Sequence, residues 1–579
     1  MPFVDVMHNC RTWYTKDVGN PNGGLFNTEN ASQLSYRPDG YPTEVPQTIA
    51  SAAFPQKVST IWAFTSGWTA GKYTVLFEGS GTLSFWGGYS NLQQSSPNRI
   101  TFDFNDPAAN ILEMTIETSS ALDPVRNIRV LMPGTETTYE TQPFNPVWLE
   151  KLKIFRSVRF MDWFATNGWG QLEWWDWDHP ELFDWSDRQQ MDHYTWANNK
   201  GIPYEMAIKL MNDYDLDGWV CVPHRASNDY IQKMAELFHD NLESKRKLTV
   251  EYSNETWNWG FGQAQWLLKY GCQNLGVDWP EGTVSYIQNC LNIWTNTYGS
   301  DLNRLVRVAG VQTAWQDVAN RTIFNLTPGS LDAFALTYYF GLSGAADAAL
   351  DTLGAAATTA DIAFWARKTR TEEVEGWLLN QKQSIAVPLN LPMVFYEGGQ
   401  HLTPTPFGEE PTYAQALLDV QRDTAMYNLY NEMYDFVRSL QTGEKPLQLM
   451  NFSFISSRSA RYGSWGILET MDQDLSLIPA PKYQATIENM AKCLTVSEVK
   501  PALVLDIQSI VPNPAFDFFE IKGIGVWEHA VLYNALGQPV KTFSNSDKLN
   551  VVGLKNGVYW LEVFPGKTAL PGVFKVIRS

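Results

Sequence analysis

The sequence predicts an α/β chain: a (β/α)8 barrel over 144–495, an N-terminal β-sandwich over 1–143 and a small Ig-like C-terminal β-sandwich over 499–579. Three observations predict this. Strand-like and helix-like stretches alternate through the middle of the chain, both ends read as short period-two strands, and 579 residues exceed what one ordinary core holds.

At the N-terminal end, 72–78, 82–86 and 99–104 alternate apolar with polar residues, and Gly, Asn and Pro clusters separate them. Stretches 111–117 and 128–131 continue the pattern up to Pro133-Gly134. A sandwich here serves either as a brace against the barrel or as a sugar-binding accessory through Trp62, Trp68 or Trp86; the brace is the simpler reading.

The period then changes. A helix is expected at 147–152 and a first buried strand at 155–163, with Asp162 and Trp163 at its carboxyl end, the end from which active-site side chains project in a parallel barrel. The loop 169–180 holds Trp174, Trp175 and Trp177 among acids and suits one wall of a groove. A second strand is expected at 194–202, a helix at 203–214, and a third strand at 219–225 that leaves His224 and Arg225 at the same end. Ser227-Asn228-Asp229 caps the next helix. The fourth strand, Leu248 to Tyr252, finishes in Ser253-Asn254-Glu255-Thr256-Trp257. The fifth, sixth, seventh and eighth strands fall at 305–311, 333–339, 392–397 and 447–454.

Chemistry concentrates at two of these ends. Glu255 follows a strand, Asn254 beside it offers an amide for a substrate hydroxyl, and Trp257 and Trp259 offer flat apolar faces. The seventh strand breaks at Glu397, and Gly398-Gly399 would let the backbone turn sharply beside a ligand. Two carboxylates at one barrel mouth suit glycoside hydrolysis, one protonating the leaving oxygen and the other attacking the anomeric carbon or activating water.

Asn-Glu closing one strand, with a later apolar strand ending in Tyr396-Glu397-Gly398-Gly399, resembles the clan A glycoside hydrolases over roughly 145–490. The resemblance implies a TIM barrel in which Glu255 is the acid/base and Glu397 the nucleophile. It also implies a tyrosine orienting the nucleophile, Tyr338 in preference to Tyr339, and a sugar platform at Trp465. No cofactor or metal is needed, and no zinc spacing, GxSxG or HExxH occurs.

The tail carries a second likeness. Pro512-Asn513-Pro514, Leu532 to Val540, Gly557-Val558-Tyr559 and the closing Lys575 to Ser579 resemble the sorting domain of the type IX secretion system of Bacteroidetes. That implies export, secreted or attached at the cell surface, with the secretion machinery as a partner and a signal peptide outside this sequence.

Composition agrees with a glycan. The 24 tryptophans exceed what a core takes, and a net charge of -19 repels nucleic acid and favours a neutral polysaccharide. No stretch approaches the roughly 18 apolar residues of a membrane helix. Cys272 and Cys290 are open to a disulfide or to two free thiols, and a monomer is expected.

Overall fold

The computed structural model describes residues 2–63, 68–105, 111–171, 175–404, 408–441, 448–494, 509–522, 527–534, 538–544, 548–565 and 572–579. The class is the mixed α/β one expected, with parallel strands alternating with helices through the middle of the chain and antiparallel sheets at either end. Two compact units divide it: Met1–Gly310 with Phe324–Asp332 and Thr470–Asp472, and Val311–Ile323 with Ala333–Glu469 and Gln473–Ser579.

The first unit opens on two antiparallel sheets. Their strands are β1 (Tyr14–Asp17), β2 (Gln56–Ala63), β3 (Gly71–Glu78), β4 (Gly81–Gly87), β5 (Ser90–Ser96), β6 (Arg99–Phe104), β7 (Ile111–Ser119) and β8 (Arg126–Leu131), in orders β1-β2-β7-β4 and β5-β6-β3-β8. Phe85 of one sheet meets Phe102 of the other at 5.5 Å, so the inner faces share one core. Trp62 lies in it, 1% exposed, its indole N–H donating to Val6 O at 2.7 Å. Trp68 stacks on Phe104 at 4.4 Å, whereas Trp86 faces solvent.

Four parallel strands follow in the same unit: β9 (Ser157–Arg159), β10 (Asp217–Val222), β11 (Leu248–Tyr252) and β12 (Leu305–Gly310). Almost every residue of β10 and β11 is buried, which follows when both faces of a sheet are covered. Helices α1 (Tyr204–Tyr214), α2 (Asn228–Asn241) and α3 (Glu281–Tyr298) connect them. Ser227 caps α2 by accepting from Tyr230 N, and the apolar stripe Tyr230, Ile231, Met234, Ala235 and Phe238 is its buried side.

The strand expected at 194–202 is not one. β9 pairs directly with β10, Ser157 against Asp217, and the intervening segment forms turns. Its apolar residues serve the N-terminal segment instead. Tyr194 stacks on Trp13 at 4.5 Å and accepts from Trp13 N, Trp196 stacks on His8 at 3.5 Å, and the Thr195 hydroxyl donates to Cys10 O at 2.6 Å. The first strand is also shorter than expected, turning at Phe160.

The second unit holds the parallel pair β13 (Ala333–Gly341) and β14 (Met393–His401), with helices α4 (Thr359–Thr369), α5 (Thr424–Ser439) and α6 (Pro481–Leu494). The expected eighth strand is reduced to one bridge, Leu449 against Phe395, with Phe395 N donating to Gln448 O and Met450 N to Phe395 O; residue 447 lies outside the described residues. At the end of the chain stand β15 (Ser509–Val511), β16 (Phe518–Lys522), β17 (Trp527–Tyr533), β18 (Pro539–Ser544), β19 (Leu549–Asn550), β20 (Gly557–Pro565) and β21 (Gly572–Arg578), ordered β15-β16-β19 and β18-β17-β20-β21 around Phe519, Leu532, Leu561 and Val563. Residues 535–537 of the Leu532 to Val540 stretch lie outside the described residues. Asn513 of the Pro-Asn-Pro stretch clamps the last strand, donating to Lys575 O and accepting from Ile577 N.

Cys272 and Cys290 are buried free thiols. Among the described residues no helix is long and apolar enough to cross a membrane, and no three His, Cys, Asp or Glu cluster as metal ligands. Because Tyr194 joins the 194–202 turns to the N-terminal segment, Tyr194→Ala should lower the unfolding free energy by about 3 kcal/mol. Urea unfolding monitored by tryptophan fluorescence measures this; an unchanged midpoint would deny the bracing contact.

Candidate active site

Beyond Tyr252 the backbone turns in an unusual way. Ser253 and Glu255 both have positive φ, 58° and 42°, in a region costly to residues other than glycine. The cost is met by a buried polar network. Arg159 Nη2 donates to Glu251 Oε2 and to Asn254 Oδ1, both at 2.8 Å, while Trp219 Nε1 donates to Glu251 Oε2 at 3.0 Å. These groups share one side of the sheet, because Arg159 is paired with Trp219, and Cys221 with Glu251. Asn254 Nδ2 donates to Asn167 Oδ1, and Gln263 Nε2 donates to both Asn167 Oδ1 and Asn254 O. Ser253 N closes the turn on Val222 O at 2.8 Å. Glu255 is thereby set half-buried on the turn, its Oε2 accepting from Asn258 Nδ2 at 2.8 Å.

Aromatic groups stand nearby in the chain. Trp257 is half-buried, and exposed Trp259 meets Trp279 at 4.7 Å. The expected aromatic loop is pinned onto the helical segment that follows Glu255. Trp266 Nε1 donates to His179 O and the Tyr270 hydroxyl to Asp178 Oδ1, and Arg225, just beyond β10, donates from Nε to Glu181 O, each at 2.7 Å. Trp175 projects from this loop, 58% exposed, while Trp174 lies outside the described residues.

The second unit builds its own carboxylate site. Glu397 lies within β14, 7% exposed, and its Oε2 accepts from the Tyr339 hydroxyl at 2.8 Å. Tyr339, not Tyr338, is therefore the tyrosine on this carboxylate. Tyr338 points the other way and donates to Asn451 Oδ1 at 3.0 Å, as successive strand residues must alternate. Gly398 makes no sharp turn; β14 runs on to His401, and the glycine leaves room for the Tyr338 ring, which a Cβ would approach to 2.2 Å. Trp465 packs edge-on to His401 at 5.0 Å and lies 6.2 Å from Tyr339. Its indole N–H donates to Tyr462 O, and Ser464 O just before it accepts from Gln400 Nε2 at 2.8 Å and Lys482 Nζ at 2.6 Å. Burial lowers the Lys482 ammonium to about 7.

Three expected binding residues are placed otherwise. Asn254 is 1% exposed with its amide engaged by Arg159 and Asn167, so it holds the turn. His224 is also 1% exposed; burial, reinforced by Arg225, lowers it to about 3 and keeps it neutral. Trp163 packs its ring between Trp148 at 5.5 Å and Phe3 at 5.6 Å. Asp162 is exposed. Sequence reasoning missed Arg159, Glu251 and Lys482. Their signal was available: a charged residue inside an otherwise apolar strand or helix face needs a partner.

Residues 509–571 match the family described as the secretion system C-terminal sorting domain. The end of the chain is thus a type IX sorting domain, and the protein is one marked for export, secreted or attached to the cell surface. No curated protein matches the chain in sequence. Among solved structures it is similar to the endo-β-1,4-mannanase from Thermotoga petrophila, at 10% identity and a TM-score of 0.33 over 73% of this chain and 97% of that one. It is also similar to the GH51 arabinofuranosidase from Xanthomonas axonopodis pv. citri, at 12% identity and 0.38 over 77% and 92%. A third is the family 1 β-glucosidase from Thermotoga maritima, at 12% identity and 0.32 over 62% and 90%. Likenesses this distant carry no inference about activity.

Removing one partner of a buried ion pair strands the other charge. Arg159→Met should therefore cost about 3–5 kcal/mol of stability. Equilibrium guanidinium unfolding is the measurement, and a loss below about 1 kcal/mol would mean that the pair does not hold the turn.

Proposed function

We propose that the protein is an exported retaining β-glycoside hydrolase, with Glu397 as nucleophile and Glu255 as acid/base. The reading is supported most by Glu397 itself, a buried carboxylate with a tyrosine hydroxyl on one oxygen and a tryptophan platform next to that tyrosine. In the first step Glu397 attacks the anomeric carbon while Glu255, protonated, gives its proton to the leaving oxygen. In the second, Glu255 takes a proton from water, which releases the glycosyl group from Glu397. Tyr339 holds the carboxylate in one orientation, and Trp465, Trp257, Trp259 and Trp175 are proposed to stack on sugar rings.

The substrate proposed first is a cellulose-type β-1,4-glucan cut internally. β-1,3-Glucan and β-mannan fit the same mechanism. A neutral chain is favoured by the net charge of -19.

Glu397→Gln should lose activity by several orders of magnitude while keeping its fold. Tyr339→Phe removes one hydrogen bond to a charged group, worth about 1.5–3 kcal/mol, so kcat should fall roughly ten- to a hundredfold. A polysaccharide panel with product sizing and NMR of the fresh anomer reads both the substrate and the stereochemistry. Inverted product would refute the nucleophile assignment. Binding without any product would make the protein a surface glycan-binding protein instead.

A further inference from the structure

The sorting domain carries two sheets, and their outer faces differ. On the four-stranded sheet, Tyr533 pairs with Trp560 and Val531 with Glu562, while Leu532, Leu561 and Val563 turn into the core. The outward face therefore holds Tyr533, Trp560 and Glu562. Glu562 is nevertheless only 1% exposed, because this face lies against α4 within the second unit.

The contact is built from charge and aromatic rings. Arg367 of α4 stands 3.2 Å from Glu562 and 2.8 Å from Glu432 of α5, and Arg370 stands 3.0 Å from Glu432. Tyr533 donates to Glu562 Oε2 at 2.9 Å, Phe364 meets Tyr533 at 4.6 Å, and Lys368 sits over the Trp560 ring at 4.0 Å. Separating this face would strip Glu562 of its guanidinium and expose the Tyr533 and Trp560 rings, so the face is committed to the helices.

The three-stranded sheet is the opposite case. Phe518 pairs with Asn550 and Val511 with Glu520, and these positions point away from the core residues Ile510, Phe519 and Leu549. Beyond Asn550 the alternation puts Val551 inside and Val552 outside. Phe516 is 67% exposed, Val552 55% and Val511 39%, and Lys548 lies over the Phe518 ring at 4.4 Å. Elsewhere on the described part of the domain, exposed Val540 and Val558 stand singly. An apolar group of this kind on so small a domain marks a binding surface. Since the chain is sorted through this domain, its occupant is taken to be a protein of the secretion apparatus.

We infer that the helices of the second unit hold the sorting domain by its four-stranded sheet, and that the secretion apparatus reads the apolar face around Phe516, Phe518, Val511 and Val552. The inference is independent of the glycosidase reading. It is tested on the full chain in cells that carry the apparatus. Phe516→Asp with Val552→Lys should cut the exported fraction at least tenfold without moving the melting temperature of the purified protein. If that pair lowers the melting temperature, Phe516→Gln with Val552→Thr is read instead, with the same expectation. In the purified full chain, a Phe364→Cys, Tyr533→Cys pair should form a disulfide under mild oxidation and fail to do so once Glu562→Arg is added. Export at the wild-type level from a well-folded face variant would overturn the assigned surface, and absence of the cross-link would overturn the docking.

Discussion

The first half of the chain depends on one buried hydrogen-bonded ion pair, Arg159 with Glu251. A carboxylate 2% exposed inside a sheet is tolerable only if its charge is matched and its lone pairs are filled. Arg159 and Trp219 do both, and the same guanidinium nitrogen extends to Asn254. That second bond ties the interior of the sheet to the loop that leaves it. The left-handed conformations at Ser253 and Glu255 persist because the surrounding groups over-determine them. Strain at a carboxylate-bearing turn is thus linked to three side chains that never reach solvent.

In the second unit a hydroxyl and packed rings surround the carboxylate. The Glu397 carboxylate is oriented by the Tyr339 hydroxyl and by close packing on either side of the strand. Gly398 is needed where the Tyr338 ring lies, and Gly399, with φ of 115°, is needed where the Tyr430 hydroxyl approaches. The glycines therefore admit aromatic rings rather than a turn. Tyr430 in turn accepts from Gln400 N, so this aromatic layer is fastened to the strand by its hydroxyls as well as its rings.

Much of this was legible in the sequence. Period-two stretches located β3, β4, β6, β7 and β8 to within about two residues, and the Ser227 cap located α2, because these features are local. Short or wholly polar strands were not legible: β5 is exposed along its whole length and gave no apolar alternation. The segment 194–202 misled for the converse reason, since its buried aromatics face the N-terminal segment and imitate a strand. Apolar and polar residues alternate along 248–253, which by itself suggests one face toward water. Thr249, Glu251 and Ser253 face a buried polar interior, not water, and only a partner distant in sequence, Arg159, makes that possible. Choosing between Tyr338 and Tyr339 needed the register of β13 against β14, which contains a bulge between Leu336 and Thr337 that no sequence period reports.

Two polar groups expected to read sugar hydroxyls, the Asn254 amide and the His224 imidazole, are sealed within the protein, one engaged by Arg159 and Asn167 and the other neutral and 1% exposed. Under the glycosidase reading proposed above, polar discrimination falls to side chains that still meet solvent, such as Asp162 and Asn258, while rings like Trp175 and Trp259 supply contact area. An aromatic face binds the apolar side of any pyranose and is blind to the hydroxyl pattern, whereas a donor or acceptor left unpaired by the wrong sugar imposes a penalty. Under that proposal, a site whose solvent-facing groups are mainly tryptophan rings should bind β-linked chains broadly and select among them weakly. Selectivity beyond that has to reside in the spacing of the rings along the bound chain.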